Sequence, residues 1–311
     1  GPTRLREALV RSRNLVSIRI MHALGPAYAT QYIQRFGFDK DALPRNLSLA
    51  LGTAQVSPLE MARAYAVFSN GCFLVEPYYL QRVVGPEGDV VFEAQPRFAC
   101  PECVERKQEK ERESETGLLD MPIRTEPSDE SRWGGLTYIN ENYLAPPAIS
   151  PQNSYLMTDI MSDVVARGTA VRARRLGRSD LAGKTGTTND RRDAWFCGFN
   201  STLVATAWIG FDQERSLGPG EEGSRTALPM WIYFMGEALR GVPEQPRTPP
   251  PGLVSMRISA DTGFPARPGE PNAMFETFMA GHFPPEAPAD GTLPIDLDGE
   301  SDETESSESL F

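Results

Sequence analysis

The chain is poor in histidine and contains no long apolar run. Among its 311 residues the only histidines are His22 and His282, far apart in sequence. They give no support to a Ser-His-Asp triad, and no H-E-x-x-H motif of a zinc hydrolase is present. No apolar stretch approaches the roughly 18–20 residues of a membrane-spanning helix, and no signal-peptide pattern opens the chain. These absences exclude several common enzyme classes.

Basic residues are outnumbered, with 31 lysines and arginines against 42 acidic residues, and the resulting net charge of −11 is unevenly spread. Residues 287–311 contain eight acidic residues and no lysine or arginine, so the rest of the chain carries only −3. A nucleic-acid-binding protein needs a basic face, which this composition does not provide. We therefore predict no nucleic-acid partner and an acidic, disordered tail over residues 286–311.

Four cysteines are present, and two of them form the C-x-x-C pair Cys100 and Cys103. A zinc ribbon would need a second pair, or histidines at fixed spacing, and neither is found. A local disulfide is favoured, while unpaired thiols and a metal site stay open as alternatives. Cys72 and Cys197 lie in apolar surroundings, and we expect them to be buried as small hydrophobic side chains.

Local patterns alternate between helical and strand segments. The first 75 residues read as helices, with the run "SPLEMARAYAVFSN" capped by Ser57 and Glu60. Residues 78–94 predict a hairpin, and residues 95–150 read as a charged, partly disordered insertion. A helix is predicted after Ser150-Pro151, with Leu156, Ile160 and Val164 on one face, and a hairpin around Asn200-Ser201. The later segments predict a helix in "TALPMWIYFMGEALRG", a stiff proline linker in "PEQPRTPPPG" and a strand in "LVSMRIS".

The stretch "LAGKTGTTND" resembles a phosphate-binding loop but fails its pattern. The G-x-x-x-x-G-K-[ST] motif would require glycine at position 178, which is Arg178. A phosphate loop must also run into a helix, whereas "DAWFCGFN" follows with a strand pattern. A single D-T-G at residues 261–263 likewise indicates a β-turn rather than an aspartic protease.

Two short motifs remain, S-R-N at residues 12–14 and K-T-G-T at residues 184–187. S-x-N and K-T-G are two of the three motifs of penicillin-recognising serine acyltransferases. Taken alone, Asn14 could be a helix N-cap and the K-T-G-T segment a solvated turn. Their order along the chain, one at a helix junction and one starting a strand, strengthens the functional interpretation.

With these motifs, "LALGTAQVSPLEMARAYAVFSNG", "FACPEC", "GKTGTTNDRRDAWFCGF" and "WIGFD" make the chain resemble the transpeptidase domain of class A penicillin-binding proteins of the 1A type. The resemblance covers about residues 2–285. It implies an α+β fold in which an antiparallel sheet is covered by helices beside an all-helical subdomain. It assigns residues 1–285 to one transpeptidase domain, with residues 95–150 as an insertion.

The resemblance also implies site residues. Lys184, Thr185 and Thr187 would bind the terminal carboxylate of a D-Ala-D-Ala stem peptide or of a β-lactam. Gly186 would let the ligand backbone approach the strand, and the Thr187 N–H would donate to the oxyanion.

The S-x-N motif has roles of its own in this family. By resemblance, Ser12 would relay a proton to the leaving amine and later from the acceptor amine. Asn14 would hold the substrate amide. No metal and no cofactor is implied for transpeptidation.

The third family motif, S-x-x-K, is absent. Its lysine would need a serine three residues earlier, and none of the four lysines, Lys40, Lys107, Lys110 and Lys184, has one. We therefore expect that the acylated serine lies upstream, that this polypeptide alone is inactive and poorly stable, and that the parent protein is a bifunctional synthase.

The parent is also expected to carry a glycosyltransferase domain and an anchor at the periplasmic face of the inner membrane of a Gram-negative bacterium. Outer-membrane lipoproteins or other cell-wall regulators are candidate partners. A D,D-carboxypeptidase, a serine β-lactamase and a non-catalytic binding module remain the alternatives.

Overall fold

The computed structural model describes residues 3–101 and 143–286. The chain divides into two compact units, Leu5–Pro251 and a smaller one made of Gly1–Arg4 with Gly252–Phe311. The domain predicted over residues 1–285 spans both units. Most of the predicted insertion and nearly all of the acidic tail lie outside the described residues, so these boundaries stay predictions.

Four helices open the larger unit, as the sequence predicted: α1 Leu5–Val10, α2 Asn14–Leu24, α3 Pro26–Ile33 and α4 Pro58–Ser69. A capping box starts α4. The Glu60 N–H donates to the Ser57 hydroxyl at 3.3 Å, and the Ser57 N–H donates to the Glu60 carboxylate at 2.8 Å. Two backbone donors that the helix cannot satisfy internally are thereby paired.

A predicted hairpin follows, with β1 Arg82–Val84 and β2 Val90–Glu93 antiparallel and exposed along both strands. The remaining elements of the larger unit are α5 Pro151–Arg167, β3 Ala182–Thr187, β4 Ala194–Phe199, β5 Val204–Ile209 and α6 Ala227–Ala238. Strands β3, β4 and β5 form one antiparallel sheet in that order.

Helix α5 packs by small residues as well as by apolar ones. Of the predicted apolar face, Val164 is buried, whereas Leu156 and Ile160 are only half-buried. The hydroxyls of Ser154 and Thr158 donate to carbonyl oxygens of α4, each at 3.5 Å. Because these side chains are short, the two helices approach closely, and the buried stripe is shifted from the one predicted.

The sheet carries helices on both faces. Side chains alternate between the two faces along a strand. Phe196 and Phe199 of β4 are three positions apart and therefore face opposite sides. Trp231 of α6 packs edge-on against Phe196, with ring centroids 4.9 Å apart. Tyr65 and Phe68 of α4 pack against Phe199 at 6.1 and 6.5 Å. The predicted architecture, a sheet covered by helices, is therefore confirmed.

The proline-rich segment after α6, which was predicted to be a stiff linker, is attached to the larger unit by side-chain hydrogen bonds that its composition did not indicate. Arg247 donates to Ser162 Oγ and to the Asp180 carbonyl oxygen, each at 3.2 Å. The Glu244 carboxylate accepts from the Ser179 hydroxyl at 2.6 Å and from its N–H at 2.9 Å. Charged side chains between the prolines thus attach the segment to the larger unit.

The smaller unit contains one hairpin, β6 Leu253–Ser259 paired antiparallel with β7 Ala273–Met279. Strand β6 was predicted and β7 was not, because the apolar residues of β7 do not alternate with polar ones as in a half-buried strand. The D-T-G segment forms a turn, as predicted, in which the Gly263 N–H donates to the Ser259 carbonyl oxygen at 2.9 Å.

The cysteines divide into two classes. Cys72 and Cys197 are free and buried, as predicted, and burial raises their pKa to about 11 and about 12. Cys100 is disulfide-bonded, whereas Cys103 lies outside the described residues, so their pairing stays a prediction. Across residues 3–101 and 143–286, no group of histidine, cysteine and acidic side chains could hold a metal ion. In the same ranges no helix has the length and apolarity to cross a bilayer.

Candidate active site

The two sequence motifs meet at the ammonium group of Lys184. Its Nζ donates to Ser12 Oγ at 2.9 Å and to the Thr185 carbonyl oxygen at the same distance. The first contact reaches the helix junction and the second follows the backbone of β3. One cation therefore links both motifs.

Ser12 occupies an unusual backbone conformation between α1 and α2. Its φ of 52° lies in the left-handed region, which costs a non-glycine residue about 1–2 kcal/mol. The Ser12 N–H donates to the Leu9 carbonyl oxygen at 3.1 Å, and the Arg13 N–H to that of Ala8 at 2.8 Å. These bonds close α1 and turn the Ser12 side chain toward β3. Strained residues of this kind concentrate at functional sites.

Ion pairs attach α1, and with it the Ser12 junction, to α5. Arg6 donates to the carboxylates of Asp159 and Asp163 at 2.6 and 3.1 Å. Arg167 donates to Glu7 at 2.5 Å. Helix α5 itself lies against β3. The position of Ser12 relative to Lys184 therefore depends on both helices.

Burial lowers the pKa of Lys184 to about 8. At neutral pH the ammonium form still predominates, and it has three protons to donate and no acceptor. The Ser12 oxygen is then the acceptor of the Lys184–Ser12 bond, which leaves the Ser12 hydroxyl proton available to another group.

Thr185 and Thr187 lie on the face of the strand opposite to Lys184, because side chains alternate along β3. Thr185 Oγ1 is 2.7 Å from Thr169 Oγ1. Thr187 Oγ1 accepts from the Gly223 N–H at 3.0 Å. Each hydroxyl of the K-T-G-T segment thus has a partner outside the motif.

Backbone groups crowd the middle of β3. A Cβ atom at Gly186 would lie 3.1 Å from Trp195 Cβ. A Cβ atom at Gly223 would collide with the carbonyl oxygens of Gly186 and Trp195. The Gly223 loop therefore lies directly on the strand and requires glycine on steric grounds, whereas a Cβ atom at Gly186 would be in tight contact with Trp195.

Asn14 is not brought into this cluster. It is the first residue of α2 and is exposed, and its side chain makes no hydrogen bond within the described ranges. The alternative role as an N-cap is wrong, because Arg13 occupies that position. The predicted contact of Asn14 with a substrate amide stays a prediction.

A cavity of about 910 Å³ opens beside Lys184. One wall comes from residues 33–65 and includes Phe38, Met61 and Tyr65. Further lining comes from the sheet, with Trp195 and Trp208, and from charged residues such as Asp190 and Glu214. Clefts of this size are typical of ligand sites.

Sequence reasoning missed three positions in the site, Gly168, Thr169 and Gly223. Gly168 and Thr169 follow α5 directly, where a glycine marks only the end of a helix. Gly223 stands in a glycine-rich loop before α6. No local pattern indicates that these residues reach β3, since each contact joins segments distant in sequence.

The model of the family described as penicillin binding protein transpeptidase domain matches residues 1–202. Penicillin-binding protein 1A of Pseudomonas aeruginosa is 43% identical over 96% of this chain, which spans 38% of that relative. The Escherichia coli protein of the same name is 37% identical over 91% of the chain and 37% of its own length. The chain therefore spans well under half the length of these relatives.

A crystal structure of penicillin-binding protein 1A from Haemophilus influenzae is also similar. It is 37% identical, with a TM-score of 0.76 over 92% of this chain and 41% of that chain. The family match covers the S-x-N and K-T-G motifs, the α1–α2 junction and the β3–β4 hairpin. The chain therefore belongs to the transpeptidase family of class A penicillin-binding proteins, with relatives of the 1A type.

Proposed function

We propose that this chain is the D,D-transpeptidase part of a peptidoglycan synthase that works through a serine acyl-enzyme and binds β-lactams. The Lys184–Ser12 hydrogen bond carries the proposal, because it joins the two family motifs into one proton-handling and anion-binding unit. The family membership and the adjacent cavity support it.

In the proposed reaction, a stem peptide ending in D-Ala-D-Ala adds along β3. Although Lys184 leaves the opposite face of β3, its ammonium bends back to the Thr185 carbonyl oxygen. The terminal carboxylate therefore lies at the strand backbone, between this ammonium and the hydroxyls of Thr185 and Thr187. Charge-assisted hydrogen bonds of this kind are stronger than neutral ones. A β-lactam carries a carboxylate in a similar place, so the same groups would bind it.

Ser12 then moves a proton. The attacking serine passes its hydroxyl proton to its base while its oxygen forms an ester with the penultimate D-Ala carbonyl carbon. The peptide C–N bond breaks, the Ser12 hydroxyl donates a proton to the leaving D-Ala amine, and Ser12 regains a proton from the base, supported by the Lys184 ammonium. In the second step the acceptor amine attacks the ester, the ester C–O bond breaks, and the proton that the amine loses returns through Ser12 to the serine oxygen. The Thr187 N–H donates to the oxyanion in both steps.

The attacking serine and its base come, in this proposal, from chain outside these 311 residues. No S-x-x-K is present, and an acyl-enzyme needs both groups. The cavity of about 910 Å³ beside Lys184 has room for part of such a segment. The proposal adds no cofactor or metal for transpeptidation.

The remaining properties concern the whole protein. We propose a glycosyltransferase domain, an anchor at the periplasmic face of the inner membrane, and regulation by cell-wall or outer-membrane lipoprotein partners. The relatives support a longer protein, since each is more than twice the length that this chain spans.

The central test uses the full-length protein that the gene encodes. A fluorescent penicillin should label it, the label should survive denaturation, and peptide mapping should place it on a serine of an S-x-x-K segment. The 311-residue chain should not be labelled. A stable penicillin label mapped to any position between 1 and 311 would contradict the proposal.

A product assay separates the related enzymes. With a stem peptide and an amine acceptor, a transpeptidase forms the cross-linked amide, a carboxypeptidase transfers the acyl group to water, and a β-lactamase hydrolyses the antibiotic.

The absent S-x-x-K favours a second candidate, a non-catalytic binding module. Sequencing the gene upstream of Gly1 decides between them: an S-x-x-K supports the enzyme, and its absence supports the module.

A further inference from the structure

We propose that Thr169 is a positioning residue for ligand binding. Its hydroxyl donates to Thr185 Oγ1 and thereby directs the Thr185 hydroxyl proton toward the carboxylate of the bound ligand. This inference rests on the proposed function, in which Thr185 binds that carboxylate.

The contact itself is short and half-buried. Thr169 Oγ1 and Thr185 Oγ1 are 2.7 Å apart, a distance typical of a good O–H···O hydrogen bond. Either oxygen could be the donor in the free protein. A hydroxyl has one proton and two lone pairs. If Thr185 donated to Thr169, it would present only lone pairs to an anion, which is repulsive.

A bound carboxylate therefore selects one direction of this bond. Thr185 can donate to the ligand only when it accepts from Thr169. The Lys184 ammonium, at 2.9 Å from the Thr185 carbonyl oxygen, would keep the anion near this residue. When Thr169 donates to Thr185 and Thr185 donates to the ligand carboxylate, each hydroxyl proton has an acceptor.

Thr187 shows the same arrangement with its direction already fixed. Its Oγ1 accepts from the Gly223 N–H at 3.0 Å, and a backbone N–H can only donate. The Thr187 hydroxyl proton is thus left available. In this arrangement each hydroxyl oxygen of the strand accepts a hydrogen bond from a group outside the motif. Thr169 does for Thr185 what the Gly223 amide does for Thr187.

The backbone of Thr169 is held by the helix that precedes Ser12. Its N–H donates to the Val10 carbonyl oxygen at 3.4 Å, and the next amide, that of Ala170, donates to the Val164 carbonyl oxygen at 3.1 Å. At Gly168 a Cβ atom would lie 2.6 Å from the Val10 oxygen, so the chain passes close to α1. Thr169 is therefore fixed to the same framework as Ser12.

The test compares a penicillin with its methyl ester, which lacks the negative charge, in the full-length protein. We expect Thr169→Val to lower the second-order acylation rate constant for the acid about five-fold, as for the loss of one neutral hydrogen bond, and to leave the ester within about two-fold. Thr169→Ser should restore the rate for the acid to within about two-fold of wild type.

A double-mutant cycle distinguishes positioning from a general structural role. In a Thr185→Val background, Thr169→Val should cause no further loss, because the hydroxyl that it directs is gone. Equal losses for acid and ester, or additive losses in the double variant, would overturn the proposal. Thr169→Ala serves as a second variant if Thr169→Val does not fold, with the same pattern expected.

The wild-type protein separates this inference from the proposed function. If wild type prefers the acid to the ester and Thr169→Val keeps that preference, only the role of Thr169 fails. If wild type is not acylated, or takes both ligands equally, the proposed carboxylate site fails and the inference fails with it.

Discussion

Lys184 Nζ lies 2.9 Å from Ser12 Oγ, although the two residues are 172 positions apart in the chain. The contact exists because the α1–α2 junction turns Ser12 toward the edge of β3. The same ammonium also binds the backbone of Thr185. Removal of this one side chain should therefore affect anion binding and proton transfer together.

We predict that Lys184→Ala lowers the acylation rate constant of the full-length protein by a β-lactam about 10- to 100-fold. The physical reason is the loss of a charge-assisted hydrogen bond, which is worth about 1.5–3 kcal/mol. The measurement is the second-order rate of penicillin capture. Lys40→Ala, which removes an exposed lysine, is the matched control and should leave the rate of penicillin capture unchanged. Unchanged kinetics for Lys184→Ala would count against its assigned role.

The acylation rate should also depend on pH through Lys184. Because burial lowers its pKa to about 8, the free protein holds the ammonium below that pH and loses it above. Capture of a carboxylate-bearing β-lactam should therefore decline as pH rises from about 7 to 9, earlier than for an ordinary lysine with a pKa near 10.4.

Lys184→Arg provides the control for the pH profile, because a guanidinium stays charged throughout this range. Whatever its absolute rate, that variant should show no decline between pH 7 and 9. A decline that persists in Lys184→Arg would mean that another group titrates. A decline that begins only near pH 10 would mean that Lys184 is not desolvated as described.

Gly168→Ala should destabilise the larger unit and disturb the site. Its new Cβ atom would lie 2.6 Å from the Val10 carbonyl oxygen and 2.8 Å from Val164 Cα, which are backbone atoms of α1 and α5. We expect a loss of about 1–3 kcal/mol in the free energy of unfolding, as for other overpacked sites, measured by denaturant titration. Gly236→Ala is the control.

The control differs in what the added methyl group meets. At Gly236 the nearest atom is Leu176 Cδ2 at 3.2 Å, the end of a flexible side chain, and the residue lies inside α6. Alanine has the higher helix propensity. We therefore expect the free energy of unfolding of Gly236→Ala to lie between slightly below the wild-type value and about 1 kcal/mol above it. Equal destabilisation by both substitutions would refute the close approach at Gly168.

Asp180→Asn should destabilise the larger unit by about 3 kcal/mol and release the proline-rich segment. Burial alone would raise the pKa of Asp180, but hydrogen bonds from Arg178 and Asn200 outweigh it and lower the pKa. Removing one partner of a buried ion pair leaves the other charge unsatisfied. The expected readouts are the unfolding free energy and protease cleavage within residues 243–251.

The direction in which stability changes with pH follows from the lowered pKa of Asp180. A carboxyl group with a lowered pKa contributes stability above its ordinary value near 3.9 and loses it as the pH falls below. Wild type should therefore lose more stability on acidification than Asp180→Asn. Glu237→Gln, which breaks an exposed pair with Arg240, should change stability by under about 0.5 kcal/mol. Equal effects of the two substitutions would contradict the importance of burial.

Much of the local structure could be predicted from the sequence. The capping box at Ser57, the hairpin at Asn200 and the strand of K-T-G-T follow from residue types over a few positions, because caps, turns and alternation are short-range. The attachment of the proline-rich linker could not be predicted, since the partners of Glu244 and Arg247 lie far away in sequence. Strand β7 was missed because its side chains lack a clear period.

The sequence by itself determined the family motifs, the helical and strand segments that carry them, and the absence of an S-x-x-K. These depend on residue identity and spacing. Only the tertiary structure decided that Lys184 contacts Ser12, that Asn14 stands apart, and that Thr169 and Gly223 hold the hydroxyls of β3. Such contacts depend on how distant elements pack, and hydrogen bonds act over about 3 Å, so no local pattern can specify them.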